Sequence, residues 1–184
     1  MHSITDIFNI LLKSIFVGFG FIIPIFALIK TSNLKALEVK DLFILTSVQA
    51  IRVSGIIYFV LALVAVYPFF ANDGSVGGVN VDFTGYGLNL LFSPLMYLLL
   101  SQLFWIKKLY MKKAALITLA ILLLILPHVR FLSSVKTFSL GSLTTVLSVF
   151  NMTNIILWAL NIIVFIFIIF TIILLGGKLK DKKV

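Results

Sequence analysis

Five long apolar runs, separated by short polar breaks, set the pattern of the chain. They cover about residues 7–29, 44–70, 88–105, 114–132 and 155–175. A helix of roughly 20 residues crosses the hydrocarbon core of a bilayer. Each run therefore predicts a membrane-spanning helix. The expected fold is all-α: a polytopic membrane protein of about five transmembrane helices plus a short amphipathic outer helix, forming one integral membrane domain over residues 1–184.

The break at 106–113 fixes the threading. It places Lys107, Lys108, Lys112 and Lys113 between two very apolar runs. So short and so charged a segment does not lie in hydrocarbon. It reads as a tight turn held on the cytoplasmic side by the positive-inside bias, with Trp105 and Tyr110 at headgroup level. Lys30, Lys35, Lys40 and Arg52 fall on the same predicted side, as do the tail lysines Lys178, Lys180, Lys182 and Lys183. Only Lys13, Arg130 and Lys136 fall opposite. The expected topology is N-terminus outside and C-terminus cytoplasmic.

The runs differ in detail. In the first, Lys13 snorkels to the interface, Ser14 and Gly18 form a small-residue pair one turn apart, and Pro24 predicts a kink. This run is too long for a cleaved signal peptide and lacks a small-residue cleavage site, so an uncleaved helix is expected. The second is too long for a perpendicular span. Arg52 marks its entry point, and residues 53–70 make about 27 Å of helix. Residues 44–51 then form a cytoplasmic or interfacial extension, and Tyr67-Pro68 marks the far end. The translocated loop at 71–87 carries an Asn72-Asp73-Gly74 turn signal, and weak alternation over 79–83 allows a small hairpin.

In the fourth run, Pro127 interrupts after a stretch of roughly 20 Å, too short to span alone. The helix is expected to continue to about 132, carrying His128 and Arg130 into the outer interface. Leu140, Leu143, Leu147 and Phe150 recur at helical spacing within 133–154, which predicts the amphipathic outer helix. Gly176-Gly177 ends the last helix.

Composition sharpens this picture. Charged residues make up 11% and hydrophobic residues 61%, with a mean hydropathy of +1.21. Soluble domains carry roughly 25% charged residues, so no separate soluble domain is expected. The net charge of +9 sits in short clusters between apolar runs. Such clusters suit topology signals and anionic headgroups, not nucleic acid. The absence of cysteine excludes disulfides, thiolate metal sites and cysteine nucleophiles. Lysine far outnumbers arginine, and Phe, Ile and Asn are frequent. This suggests an AT-rich bacterial genome, and so the bacterial inner membrane.

Candidate chemistry is sparse. Asp6, Glu38, Asp41, Asp73, Asp82 and Asp181 all avoid the middle of a predicted span, so no carboxylate proton relay is expected. No zinc-protease, nucleophile-elbow or phosphate-loop motif occurs. His2 and His128 would have to share one depth to hold a haem, and Asn72, Asp73 and Asp82 lack the spacing of a calcium loop. No enzyme activity, cofactor or metal is expected. The candidate lipid or partner contacts are His128, Arg130 and Arg52. Past the Pro127 break, His128 and Arg130 would meet a lipid phosphate, a quinone carbonyl or a partner's carboxylate; the plainer reading is a wet histidine beside a snorkelling arginine. Arg52 reads most simply as an interface anchor. Ser93-Pro94 and Gln102 either line a solute path or satisfy neighbouring groups.

The run QLFWIKK at 102–108 resembles a stretch in the quinol-interacting membrane subunits of bacterial respiratory complexes. The resemblance has no flanking motif, and no residue role rests on it. The functional expectation is a non-catalytic integral membrane subunit or accessory factor of a larger complex, with lipids and other membrane subunits as partners. A small transporter, channel or quinone- or lipid-binding module is the alternative.

Overall fold

The computed structural model describes residues 4–71, 75–76, 79–80, 83–126 and 152–176. The elements in order are α1 (Ile4–Leu28), α2 (Leu34–Ala71), β1 (Ser75–Val76), β2 (Val79–Asn80), α3 (Phe83–Leu103), α4 (Lys107–Met111), α5 (Lys113–Ile125) and α6 (Met152–Leu175). Among the described residues the only strands form one minimal antiparallel hairpin, which pairs Ser75 with Asn80 and Val76 with Val79, and the regular structure is otherwise helical. Among the described residues, three stretches are long and apolar enough to cross a membrane: Ile7–Leu28, Leu34–Tyr67 and Asn154–Leu175. Leu91–Leu103 and Lys113–Ile125 are shorter apolar helices. In hydrocarbon only a helix or a closed barrel satisfies its own backbone, so these apolar sequences and their helical state explain one another. Pro127, His128, Arg130, the residues Leu140, Leu143, Leu147 and Phe150 of the expected outer helix, and the lysine tail lie outside the described residues.

The boundaries differ from expectation where caps intervene. The second helix begins at Leu34, ten residues before its apolar run. Asn33 starts it: its Oδ1 accepts from the Lys35 N–H at 3.0 Å, and its carbonyl accepts from the Leu37 N–H at 3.0 Å. The interfacial extension expected over 44–51 is thus part of a longer continuous rod. The third helix ends two residues early. Phe104, Trp105 and Ile106 donate to the carbonyls of Ser101, Gln102 and Leu103, each three residues back. Bonds of this 3₁₀ type tighten a last helical turn. The lysine turn itself contains the single helical turn α4 between two extended residues, Ile106 and Lys112. Helix continues through Pro24 and Pro94.

The first helix is the hub, packing against α2, α5 and α6, while α3 packs mainly on α2. Its buried residues Leu12, Ile15, Phe16, Phe19, Ile23 and Ala27 recur every three or four positions, the spacing of one helix face. Residue pairing gives the directions. Phe16 meets Tyr58 and Phe26 meets Phe43, so α1 and α2 are antiparallel. Tyr58 meets Tyr97, and Arg52 meets Phe104, so α2 and α3 are antiparallel. Between α1 and α6 the two closest pairs rise together, Ser14 with Asn161 and Gly18 with Phe165, while the long side chains of Phe21 and Trp158 meet at 6.0 Å across the register. The first and last helices therefore run in the same general direction.

Two glycines permit the closest approaches. A Cβ on Gly55 would overlap Ser101 Oγ and lie 2.6 Å from Ser101 Cβ. A Cβ on Gly18 would overlap Phe165 Cβ. Small residues at crossings let helices pack in lipid, where apolar surface alone gives little drive to associate. Above the α2–α3 contact the core is aromatic. Phe16 stacks on Tyr97 with centroids 4.1 Å apart, and both rings meet Tyr58 edge-on at 5.6 Å.

Candidate functional site

Arg52 and the lysine turn form the most elaborate polar arrangement among the described residues. Helix α3 stops at Leu103, and the carbonyls of Ser101, Gln102 and Leu103 accept the 3₁₀ bonds of the turn that follows. Arg52, half-buried on α2, reaches the next carbonyl: its Nε donates to Phe104 O at 2.8 Å, and Nη2 donates to the same oxygen. A cation here also complements the negative end of the α3 dipole. The guanidinium carbon lies 4.9 Å from the Trp105 ring centroid and 5.0 Å from that of Tyr110. Both distances fall within cation–π range. The arginine is therefore not a free interface anchor. It ties the middle of α2 to both sides of the turn between α3 and α4.

The flat guanidinium suits this role. Two of its five N–H groups hold one carbonyl while its faces meet aromatic rings, which a compact ammonium cannot reproduce. The turn lysines Lys107, Lys108, Lys112 and Lys113 are all exposed. The turn thus has a fixed inner side, built by Arg52, Trp105 and Tyr110, and an outer rim of four positive charges.

A second tie lies at the same end of the bundle. Lys40, only 9% exposed, donates from Nζ to Ile29 O at 3.1 Å, just past the end of α1. Lys40 also lines a groove of about 380 Å³ shared by the end of α1, the start of α2 and the lysine turn, with Ala27, Ile44, Leu45 and Met111 as its apolar wall. Sequence reading counted Lys40 only as a topology charge. Its burial was signalled by nothing more specific than its position one turn before Ile44.

Other polar groups serve the helix contacts. Ser14 Oγ lies 2.9 Å from Ile10 O and 2.8 Å from Asn161 Oδ1. One hydroxyl proton cannot serve both acceptors. With the Asn161 amide turned over, its N–H donates to Ser14 Oγ while Ser14 donates to Ile10 O, so the one hydroxyl serves both contacts. Ser101 Oγ donates to Leu98 O at 2.8 Å and accepts from Gln102 Nε2 at 3.3 Å. Gln102 is thus paired with its neighbour. Thr46 Oγ1 and Ser47 Oγ are buried without a partner among the described residues.

Among the described residues, no group of three or more His, Asp or Glu side chains converges as a metal site. The arrangement offers cations, aromatic faces and an amphiphilic groove. That chemistry suits holding helices together and binding anions. No family model, curated protein or solved structure matches the chain.

Proposed function

We propose that this chain is a non-catalytic, multi-pass subunit or accessory factor of a larger assembly in the bacterial inner membrane. In this reading it crosses the bilayer five times, with its N-terminus outside and its C-terminus and lysine turn in the cytoplasm. The observation that carries the proposal is where the polar side chains go. Arg52 holds Phe104 O, Lys40 holds Ile29 O, and Ser14 meets Asn161. Each of these groups fastens one helix of the chain, at its end or to a neighbour. Polar groups used in this way build a scaffold. The alternating directions of α1, α2 and α3 and the shared direction of α1 and α6 support an odd number of crossings.

The outward surfaces support assembly with other membrane components. In the span Asn154–Leu175 only 11% of the apolar window is buried within the chain, and in Leu34–Tyr67 only 22%. The test is native electrophoresis and mass spectrometry after mild solubilisation. A fixed set of co-migrating membrane proteins is expected, and deleting the chain should lower their abundance. A monodisperse monomer that moves a solute in liposomes would overturn the reading. It would favour the second one, a small transporter or quinone- or lipid-binding module. Buried and unpartnered Thr46 and Ser47 are the observation on that side, although a χ1 rotation would return each hydroxyl to a carbonyl one turn back.

A further inference from the structure

The groove beside Lys40 combines features that no helix contact requires. Its polar members are Lys40, Asp41, Tyr110 and Lys113, and its walls include Ile44, Leu45 and Met111. Lys40 is more than nine-tenths buried, and its partner among the described residues is a neutral carbonyl. An ammonium has three N–H donors. One serves Ile29 O, leaving two for the groove. A buried charge without a counter-ion is costly, and buried cations are ordinarily paired.

We propose that this groove binds the phosphodiester headgroup of one anionic membrane phospholipid. Lys40 and Lys113 take the phosphate, and the acyl chains lie along Ile44, Leu45 and Met111. The local charges define the class of ligand. Two lysines against Asp41 leave one net positive charge, which matches a singly charged phosphodiester better than a doubly charged phosphomonoester. The apolar wall favours an amphiphile over a free anion. Depth agrees as well, because the turn lysines and the ring of Tyr110 mark the headgroup level. Tyr110 touches Arg52 on one side and lines the groove on the other, so the bound headgroup rests on the turn that Arg52 fixes.

The inference rests on the membrane reading above, and the experiment separates the two. Resistance of the full chain to carbonate extraction is measured first. An extractable chain would overturn both the membrane reading and this proposal. The carbonate-resistant protein is then purified in mild detergent. It is titrated with phosphatidylglycerol, phosphatidylethanolamine or inorganic phosphate, and bound lipid is counted by native mass spectrometry. Preferential retention of phosphatidylglycerol is expected. Lys40→Gln and Lys113→Gln should each weaken it by roughly tenfold, the scale of one charge-assisted hydrogen bond. The pair Lys107→Gln and Lys108→Gln, on the turn but outside the groove, should leave retention unchanged. Lys113→Gln keeps the Lys40–Ile29 tie and carries the test if Lys40→Gln fails to fold. Equal retention by Lys113→Gln and the unaltered chain would overturn the proposal. So would equal retention of phosphatidylethanolamine, or displacement of the lipid by low concentrations of inorganic phosphate.

Discussion

Replacing Arg52 separates a shape-specific tie from a simple positive charge. Arg52→Ala removes the contacts to Phe104 O and both aromatic neighbours. A hydrogen bond from a charged donor contributes about 1.5–3 kcal/mol. A half-exposed cation–π contact adds about 0.5–1 kcal/mol. The two N–H groups share one oxygen, so they count as one bond, and with two cation–π contacts a total loss of about 2.5–5 kcal/mol is expected. Arg52→Lys keeps the charge, but a lysine makes at most one bond to that carbonyl and cannot stack flat. It should recover less than half of the loss. Unfolding in mixed micelles with increasing dodecyl sulfate gives the assay. Trp105 and Trp158 are the two tryptophans of the chain. With Trp158→Phe as background, fluorescence reports the Arg52 site alone. The alanine variant should shift the unfolding midpoint most and redden Trp105 emission. A lysine variant indistinguishable from the arginine parent would refute the argument, because charge at that depth would then suffice.

Three further outcomes follow from the packing. Gly55→Ala should destabilise the chain by about 1–3 kcal/mol in the same micelle assay, because its Cβ meets Ser101; adding Ser101→Gly should restore part of the loss. Ser14→Ala and Asn161→Ala should show a coupling of about 0.6 kcal/mol in a double-mutant cycle, the average for polar pairs between membrane helices. A cysteine at Asp73 should react with an impermeant maleimide in intact cells, and one at Lys182 should not. The reverse pattern would invert the proposed topology.

Much of the helical layout was legible because hydropathy and backbone satisfaction act on long stretches. The apolar runs at 7–29 and 155–175 match the helices Ile4–Leu28 and Met152–Leu175 to within three residues at each end. The small-residue pair Ser14 and Gly18 proved to be the contact face toward α6. Details set by distant residues were hidden. Nothing around Arg52 announces a carbonyl partner at Phe104, because that partner exists only once α2 and α3 lie side by side. Gly55 drew no notice for the same reason, since its need for space comes from Ser101 across the helix crossing. The start of α2 left a local signal: Asn33 stands ahead of the first helical residue, as a capping residue does. The lysines at 35 and 40 masked it by suggesting a loop. Lys40 itself shows the limit of reading charge as exposure, because a long stem allows burial whenever a carbonyl is within reach.

The two cationic ties together explain why a groove exists at that end of the bundle. Both α1 and α3 run toward the lysine side, and just past each helix stands a carbonyl outside its ladder, Ile29 O and Phe104 O. One helix, α2, supplies a cation to each: Lys40 to Ile29 O and Arg52 to Phe104 O. These positions are twelve residues apart, or about 18 Å along a helix. The end of α3 therefore lies far short of the end of α1, measured along α2. Such a stagger leaves a notch beside the first turns of α2. The α4 turn enters the notch from the Arg52 side, bringing Tyr110, Met111 and Lys113 opposite Lys40 and Ile44. Its extended flanks at Ile106 and Lys112 let the chain climb part of that step before α5 turns back. What α4 does not fill is the groove. Its charge comes from Lys40, one of the two ties, with Lys113 and Asp41, and its apolar wall from Ile44 and Leu45 of α2 together with Ala27 and Met111. Lys40, which fastens the end of α1 to α2, thus also charges the surface on which an anionic headgroup can rest.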